Sequence, residues 1–255
     1  MNITIIIPTY NEGESIGKLI QAVFGELKSI SHHNWSLLIV DGKSKDDTVS
    51  IVEEQKLTYP NIHIISQTEK NGLGNAYVLG MNYAIDTLKA DAFMEFDGDF
   101  QHNPKDIYKL VKALDDGYEY IIGSRYVPEG TIPAEWPWYR KFLSNFGNII
   151  IKYGLRIPTK DNTSGFKLTK VLGFRESMPL KKGELLSQRH AYKIHFLYSM
   201  FTAGAKTTEV PIQFLNRNKG VSKSTIEDIF ESLKVVFLLN FRKNKTRINK
   251  ITTNR

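Results

Sequence analysis

The chain of 255 residues contains no cysteine. This absence excludes disulfide bonds, thiolate metal sites and a thiol nucleophile, and it is typical of proteins from a reducing compartment. The sequence also lacks an apolar run near the roughly 18 residues of a membrane-spanning helix; the nearest candidate, VVFLLNF at residues 235–241, is far too short. The first residues, MNITIIIPTYNEGES, have no basic flank, so we expect no export signal and a cytoplasmic location.

Acidic residues are absent from the last part of the chain. The formal net charge of +7 would by itself suggest nucleic acid or an anionic membrane as a partner. Residues 239–255 hold six basic side chains and no acidic one, whereas the remaining chain has 28 basic and 27 acidic residues. The basicity therefore belongs to a tail, and its basic stretch from Arg242 onward has no aromatic residue to stack on bases. We expect no nucleic-acid partner.

Apolar runs alternate with helical patterns through the first half of the chain, which is typical of βαβ units and a largely parallel, buried sheet. The patterns predict strands at residues 3–8, 36–41, 62–66, 92–97, 119–124 and 207–214. They predict helices at 13–29, 46–56, 74–88, 105–115, 139–155, 184–202 and 224–240. We therefore expect an α/β fold, in which ligands bind at the carboxyl ends of the strands. Pro8, Asp41 and Asp97 fall at these ends.

Two carboxylates, Asp97 and Asp99, follow the fourth predicted strand in the stretch FMEFDGDFQHNP. They would point to the same side if the strand continued, and two carboxylates at such short range repel each other unless a cation lies between them. Oxygen ligands suit Mg²⁺ or Mn²⁺, and Gln101 or His102 could complete the set. The same residues would also suit a solvated turn that ends a strand.

Seven ordered segments extend this pattern across the chain: IIIPTYNE, VDGKSKDDT, NGLGNAYVLGMNYA, FDGDFQHNP, GSRY, DNTSGFK and EVPIQFLNRNKGVSK. In this order the segments resemble the family-2 glycosyltransferases, and more narrowly the polyprenyl-phosphate (dolichol-phosphate) mannosyl and hexosyl transferases. The resemblance implies a GT-A fold, with a mostly parallel Rossmann-like sheet flanked by helices. It also implies a nucleotide-sugar donor, linked to GDP or UDP, a divalent cation and inversion at the anomeric carbon.

The resemblance assigns a donor and cation site to the first half of the chain. Pro8, Tyr10 and Glu12 would line the pocket for base and ribose, and Asp41 would accept hydrogen bonds from either. The alternatives for these residues are a strand-ending turn and a helix cap. The cation, Mg²⁺ or Mn²⁺, would be bound by the following residues: Asp97, Asp99 and Gln101.

The resemblance places an acceptor site in the second half. Arg125, in GSRY, would hold phosphate charge or fix the carboxylates, and its alternative is a structural ion pair. Ser164 would offer a hydroxyl to the acceptor phosphate, and cationic charge would come from the following residues: Arg140, Arg217 and Lys223. Asp99, Arg125, Arg217 and Lys223 form the predicted catalytic set.

The chemistry of the acceptor separates two hypotheses. A sugar hydroxyl needs a general base as it attacks, whereas a phosphomonoester already carries a nucleophilic oxygen anion at neutral pH. Transfer of a hexose, mannose or glucose, to a polyprenyl phosphate therefore needs cations more than a base. The alternatives are transfer to a carbohydrate hydroxyl, or a nucleotide-sugar-binding protein without turnover.

Three segments depart from the family pattern. The family commonly has VDDGS or VDDNS where this chain has VDGKS; the second carboxylate is lost at Gly42 and a lysine is gained at Lys43, so the resemblance does not choose between guanine and uracil. An arginine is common where Lys167 stands, and an acidic residue where His195 aligns. His195 lies on a predicted helix, where a histidine is more often a packing residue than a catalyst. These changes bear on the base and sugar and leave the phosphate chemistry in place.

The last part of the chain predicts an amphipathic helix followed by a basic tail, so we divide the chain into a catalytic domain, 1–221, and a C-terminal segment, 222–255. Apolar residues repeat at helical spacing from Ile226 to Phe237. The helix could lie in a membrane interface while the tail meets anionic headgroups, or it could pack on the protein beside a solvated tail. A lipid-linked acceptor favours peripheral membrane association, directly or through a separate membrane protein.

Overall fold

The protein is described by a computed structural model that covers residues 1–68, 71–216 and 226–253, with the backbone alone at residues 226 and 242–253. Seven strands alternate with helices through most of the chain. The strands are β1 (Asn2–Thr9), β2 (Asn34–Asp41), β3 (Ile62–Ser66), β4 (Ala92–Glu95), β5 (Tyr120–Ser124), β6 (Lys167–Lys170) and β7 (Thr207–Pro211). The helices are α1 (Gly13–Leu27), α2 (Thr48–Thr58), α3 (Leu73–Asp86), α4 (Ile107–Asp115), α5 (Trp138–Leu155), α6 (Tyr192–Thr202) and α7 (Ile226–Thr253).

The strands form one sheet in the order β3-β2-β1-β4-β6-β5-β7. All neighbouring pairs are parallel except those of β6, which runs antiparallel to both β4 and β5. The predicted α/β fold with a mostly parallel sheet is confirmed. The sequence patterns missed β6, because a strand of four residues is too short to show a period of its own. Its insertion separates β4 from β5, which run in the same direction.

The sheet is buried on both faces, as a parallel sheet between helices requires. Alternate residues of β1 point to opposite sides: Ile5 and Ile7 pack in one apolar cluster with α1 and α4. Ile6 packs in the other, together with residues of α3 and α6. Three of the helices on this second side, α5, α6 and α7, lie in the half of the chain that the resemblance assigns to the acceptor.

Two predicted helices differ in extent from the structure. The helix predicted at 184–202 begins only at Tyr192, because residues before it are held in turns; the Ser187 hydroxyl accepts from the Arg189 N–H, and the Gln188 carbonyl accepts from Gly74. The C-terminal helix continues to Thr253, beyond the expected end near residue 240. Residues 241–253 contain no proline or glycine and several arginine and lysine residues, which favour helix.

Helix α7 packs on the body of the protein along one side. Its buried apolar side chains among the described residues are Val235, Val236 and Leu239. Val236 lies so close to α5 that a Cβ at Gly154 would be 2.8 Å from its Cγ1, and the Asn240 side chain donates to the Gly154 carbonyl at 2.7 Å. None of the helices in the described part of the chain combines the length and apolar composition that a bilayer-spanning segment needs.

Candidate active site

The predicted site residues of the first half lie at the carboxyl edge of β1, β2 and β4. Thr9 and Asp41 are paired at the ends of β1 and β2, and β4 ends at Glu95, two residues before Asp97. Asp97 and Asp99 therefore lie in the loop after β4 instead of continuing the strand, and Phe100 turns the chain with a φ of 61°. Because the strand ends early, the two carboxylates contact different partners and do not form a simple pair on one side of a strand.

The carboxylate of Asp97 is surrounded by protein donors. Its Oδ1 accepts from the Tyr77 hydroxyl at 2.9 Å, and its Oδ2 lies 3.1 Å from Nε2 of His102 and 3.8 Å from Nζ of Lys193. Burial alone would raise the pKa of Asp97, but the charge of Lys193 and the hydrogen bond from His102 hold that pKa well below its usual range. Asp97 is therefore an ionised carboxylate with both oxygens engaged.

His102 contacts the Asp97 carboxylate and is itself almost completely buried. Only 1% of His102 is exposed, and its ring lies among three aromatic rings, those of Phe96, Phe166 and Phe214. Because an ionised carboxylate only accepts hydrogen bonds, Nε2 carries the proton and donates to Asp97. The imidazole thus orients Asp97 instead of serving as an open cation ligand.

Asp99 and Gln101 complete the oxygen ligands that could hold a cation. Oδ1 of Asp99 accepts from the backbone N–H of Gln101 at 3.0 Å, which fixes the tight turn between them. The donor set, two carboxylates and an amide, fits Mg²⁺ or Mn²⁺. Because both oxygens of Asp97 already accept from protein donors, a cation bound by Asp97 would have to share these oxygens with Tyr77 and His102.

A second layer of charged groups lies beneath Asp97 and was not predicted. Glu95, at the end of β4, is paired in register with Lys167 of β6, and both are fully buried. One oxygen of Glu95 accepts from the Tyr192 hydroxyl at 2.5 Å, and among the described residues neither its second oxygen nor the Lys167 ammonium has a hydrogen-bond partner. Burial lowers the pKa of Lys167 to about 8, although the charge of Glu95 acts in the opposite direction.

Arg125 forms the ion pair that its sequence position left open as the alternative. Its Nε and one terminal nitrogen donate to the two oxygens of Asp161, each at 2.7 Å, and the same terminal nitrogen also donates to the Thr163 hydroxyl. Burial would raise the pKa of Asp161, but Arg125 holds it below its usual range. In this structure Arg125 fixes the loop of residues 161–163, and a direct contact with a phosphate stays a prediction.

Ser164 does not occupy the place expected for an anion-binding hydroxyl. Only 1% of the residue is exposed; its Oγ donates to the Gly123 carbonyl at 2.6 Å and accepts from the Phe166 N–H at 3.2 Å. Because the hydroxyl is bound to backbone groups inside the protein, we remove Ser164 from the acceptor site. His195 is likewise buried, and its Nδ1 accepts from the Leu186 N–H, as a packing residue would.

Of the three remaining basic residues predicted for the acceptor site, Arg140 is described by the structure, whereas Arg217 and Lys223 are not. Arg140 lies in the first turn of α5, with its guanidinium carbon 3.8 Å from the centre of the Trp136 ring. Trp136 contacts Phe214, and Phe214 contacts His102, so this row of rings connects Arg140 to the surroundings of Asp97. Arg217 and Lys223 lie outside the described residues, and their roles stay predictions.

The predicted donor residues lie in two loops that hydrogen bonds join. The Asn11 N–H donates to the Ser44 hydroxyl, and the Glu12 N–H donates to the Thr48 hydroxyl, each at 2.9 Å. Pro8 is paired with Val40 where β1 ends, two residues before Tyr10. These contacts hold the chain around Pro8, Tyr10 and Glu12 in a fixed shape before any ligand binds.

Asp41 is buried and its carboxylate is already engaged. Its Oδ1 accepts from the hydroxyls of Ser44, at 2.6 Å, and Thr9, at 3.3 Å, and its Oδ2 accepts from the Ser44 N–H. Lys43 turns the loop with a φ of 63°. Asp41 therefore holds the departing VDGKS loop, and a direct hydrogen bond to a base or ribose stays a prediction.

A different group of possible metal ligands lies at the opposite edge of the sheet. Nε2 of His32 and Nε2 of His33 each lie 2.9 Å from an oxygen of Asp115. These residues are next to the beginning of β2 and the end of α4, whereas Asp97 and Asp99 follow the end of β4. The histidine group is therefore separate from the candidate active site.

Comparison with known families identifies this arrangement. Residues 4–177 match the sequence profile of glycosyl transferase family 2. The chain belongs to this family. The match begins in β1 and ends after β6, so it includes every element that carries the predicted donor and cation residues.

Curated relatives are similar over nearly the whole chain. The polyprenol monophosphomannose synthase of Mycolicibacterium smegmatis is 32% identical over 233 residues, which are 90% of this chain and 83% of the relative. The dolichol-phosphate mannosyltransferase of Pyrococcus furiosus is 32% identical over 241 residues, 94% of this chain and 64% of that longer relative. Both matches therefore span most of this chain.

Solved glycosyltransferase structures have the same fold. Glucosyl-3-phosphoglycerate synthase from Mycobacterium tuberculosis, bound to Mn²⁺ and UDP, superposes with a TM-score of 0.61 over 94% of this chain and 79% of that one, at 16% identity. The mannosyltransferase PcManGT from Pyrobaculum calidifontis, with GDP-mannose and Mn²⁺, gives a TM-score of 0.56 over 96% of this chain and 64% of that one, also at 16% identity. The predicted GT-A fold is confirmed.

Proposed function

We propose that this family-2 chain transfers a hexose, with mannose favoured over glucose, from a nucleotide diphosphate to a polyprenyl phosphate, with inversion at the anomeric carbon. The observation that carries the proposal is the pair Asp97 and Asp99 at the carboxyl edge of β4, in a chain 32% identical to two lipid-phosphate mannose enzymes. One of these carboxylates is kept ionised by its neighbours. GDP and UDP stay open as the donor nucleotide.

The chemistry needs charge neutralisation more than a general base. A Mg²⁺ or Mn²⁺ ion bound at this site would supply positive charge to the leaving diphosphate. Asp99, with Gln101 and Asp97, would hold that ion, while Tyr77 and His102 keep Asp97 oriented. The acceptor phosphate oxygen would form the new bond to the anomeric carbon as the bond to the diphosphate breaks. Its negative charge would be held by the following residues: Arg140, Arg217 and Lys223.

Two helices expose an apolar surface suited to a lipid acceptor. Helices α5 and α7, which pack on each other at Gly154, leave large hydrophobic side chains outside the core. On α5 the exposed side chains are Trp138, Tyr139, Phe142, Leu143, Phe146, Ile149 and Tyr153. On α7 they are Ile229, Phe230, Leu233, Phe237 and Phe241. An apolar surface of this kind beside a basic segment is typical of proteins that lie on a membrane interface.

We therefore propose that this surface, here called the α5–α7 face, attaches the enzyme peripherally to the cytoplasmic side of a membrane. One side of α7 packs on the protein, and in this proposal the opposite side lies in the membrane interface. The two alternatives that the sequence left for this helix, packing on the protein and membrane binding, would then both apply. In this proposal residues 1–221 carry the donor, cation and acceptor groups, and residues 222–255 complete the lipid-facing surface. A separate membrane protein would be an additional means of attachment.

Transfer of radiolabelled sugar into organic-solvent-extractable lipid tests the proposed activity directly. We expect product with a polyprenyl phosphate and with GDP-mannose or a UDP-hexose in the presence of Mn²⁺ or Mg²⁺, and none in EDTA. The transfer rate of the Asp99→Ala variant should be lower by roughly 10²-fold or more, since the variant lacks a carboxylate that would bind the cation at the leaving diphosphate.

A matched control is Asp116→Ala, which removes an exposed carboxylate paired with Lys112 far from the site and should leave the rate unchanged. Full activity of Asp99→Ala, or of the wild type in EDTA, would contradict the cation role. Label in a water-soluble glycan without lipid dependence would instead support transfer to a carbohydrate hydroxyl. Donor binding without transfer to any acceptor would indicate a binding protein.

A further inference from the structure

Lys193 lies beside the cation site but was not part of the predicted set. It is the second residue of α6, and its side chain is only 8% exposed. Its ammonium nitrogen is 3.8 Å from Oδ2 of Asp97. A lysine so deeply buried loses much of its hydration, so it needs a compensating charge nearby. Asp97 supplies that charge.

The backbone at Gly165 closes the space around this ion pair. A Cβ built on Gly165 would lie 2.5 Å from Oδ2 of Asp97, 2.5 Å from Nζ of Lys193 and 3.1 Å from Nε2 of His102. No side chain fits there without moving one of these groups. The surrounding backbone therefore holds the Lys193 ammonium and the Asp97 carboxylate close to each other.

This ion pair changes the electrostatics of the cation site. An ammonium group has no lone pair and cannot bind a metal; at short range it repels a divalent cation and competes with it for the Asp97 oxygens. The other carboxylate of the cation site, Asp99, contributes a single negative charge, which is little compensation for a hard dication that gives up its hydration water reluctantly. Additional negative charge must come from the substrate.

We propose that Lys193 is a built-in counter-charge for Asp97 that makes binding of the divalent cation depend on the donor diphosphate. The inference rests on the cation and donor assigned under the proposed function and adds the residue that couples them. Without nucleotide, the protein holds the cation weakly. With nucleotide, the diphosphate oxygens outweigh the repulsion from Lys193, and cation and donor bind together.

The coupling has a consequence for turnover. If the diphosphate increases the affinity for the cation by some factor, the cation increases the affinity for the diphosphate by the same factor, because coupling between two ligands is reciprocal. A released nucleoside diphosphate therefore takes away the charge that held the cation in the site. Lys193 then again neutralises Asp97, and the empty site does not retain the metal.

Mn²⁺ binding measured by electron paramagnetic resonance tests this inference without any catalysis. Free Mn²⁺ is titrated into the full chain alone, with GDP and with UDP. For the wild type we expect weak binding alone and at least about tenfold tighter binding with the nucleotide that fits. For Lys193→Met we expect binding without nucleotide to tighten about tenfold and the nucleotide effect to shrink correspondingly.

Two control variants separate charge from packing. Lys193→Arg keeps a positive charge and should retain weak nucleotide-free binding, whereas Lys112→Met removes a lysine that is 71% exposed and should bind Mn²⁺ as the wild type does. A gain of affinity cannot come from local unfolding, which would lower Mn²⁺ binding. Thermal unfolding of each variant confirms that the Mn²⁺ titrations report folded protein.

Unchanged or weaker nucleotide-free Mn²⁺ binding by folded Lys193→Met would overturn the inference while leaving the proposed function intact. An equal gain in Lys193→Arg would also overturn it, since the charge would then not be the cause. If no variant bound Mn²⁺ with or without nucleotide, the cation of the proposed function would itself be contradicted, and this inference with it.

Discussion

Lys167 shows what a single buried charge does to the stability of this protein. The side chain is fully buried beside Glu95, and its pKa is lowered to about 8 by burial. In the unfolded chain a lysine titrates near about 10.4, so between these pH values the unfolded state binds more protons than the folded state. Stability must therefore rise with pH across this window.

The first residue-scale prediction is that the free energy of unfolding increases by up to about 3 kcal/mol between about pH 8 and pH 10.4 because of Lys167. Lys167→Met should lack this part of the rise, since methionine does not titrate. Denaturant titrations of both proteins across the pH range measure it. Parallel curves for the two proteins would mean that Lys167 keeps its proton in the folded state.

A second residue-scale prediction concerns Gly165. Alanine there would place a methyl group 2.5 Å from both the Asp97 carboxylate and the Lys193 ammonium, so one of these groups must move. We expect Gly165→Ala to lower kcat at least roughly tenfold, because a small displacement of a cation-site carboxylate is costly. Gly147→Ala lies on α5, where the new Cβ would come within 4 Å of nothing beyond its chain neighbours and its own helix backbone, and it should keep wild-type kcat. Wild-type kcat for Gly165→Ala would contradict the contact.

Residue roles divide between those that the sequence could assign and those that it could not. Asp97 and Asp99 are two residues apart in the sequence, so their spacing alone was enough to predict that they belong to one site. Arg125 was assigned either to a phosphate or to an ion pair, and only the fold shows that Asp161 is its partner. Lys193 reaches Asp97 from 96 residues away along the chain, and no local pattern predicts such a contact.

At the scale of elements, α7 serves two environments at once. Val235 and Val236 are buried against the body, whereas Phe230 is 69% and Phe237 is 68% exposed. The N-terminal turn is held by Arg189, which pairs with Glu227 and Asp228. The helix is therefore anchored on the protein and still presents an aromatic stripe outward.

We predict that the double variant Phe230→Ser/Phe237→Ser binds lipid vesicles at least about tenfold more weakly than the wild type, since two large apolar side chains no longer enter the interface. Cosedimentation with vesicles of phosphatidylcholine and phosphatidylglycerol measures the loss. Leu172→Ser, at a side chain that is 77% exposed elsewhere, is the matched control. Equal losses in both proteins, or no binding by the wild type to protein-free vesicles, would favour attachment through a separate membrane protein.

The elements that the sequence predicted well are those with a sustained period. β1, β2 and α1 follow long apolar patterns, and their predicted bounds differ from the observed ones by no more than two residues. β6 and the beginning of α6 were missed because tertiary contacts decide them. β6 has neighbours on both sides, and the segment before α6 accepts a hydrogen bond from Gly74 in the first turn of α3. Periodicity contains no information on either.

At the scale of the whole molecule, the charge is distributed unevenly along the chain. Residues 239–255 carry six basic side chains and no acidic one, while the remainder is nearly neutral. Helix α7 includes most of this basic stretch. An anionic membrane would therefore attract one end of the molecule, next to the exposed side chains of α5 and α7, and would orient it before apolar contact is made.

This distribution predicts that vesicle binding depends on anionic lipid and on salt. Raising the salt concentration from 0.05 M to about 0.5 M should weaken binding to vesicles with phosphatidylglycerol, because the Debye length shortens. Truncation after Phe241 should remove most of that salt dependence and keep the weaker apolar binding to phosphatidylcholine alone. If vesicle binding by the truncated protein still depended on salt, basic residues before Arg242 would be responsible for the attraction to anionic lipid.

The antiparallel direction of β6 has a consequence for how acceptor preference could change. β5 ends at the carboxyl edge with Ser124, and β6 starts from that same edge with Lys167. The chain between them, which includes α5, therefore leaves the sheet and returns to it at the same edge. Under the proposed function this excursion carries Arg140 of the acceptor site, so we expect that exchanging it for that of another transferase would change acceptor preference while the strands of the nucleotide half stay in place.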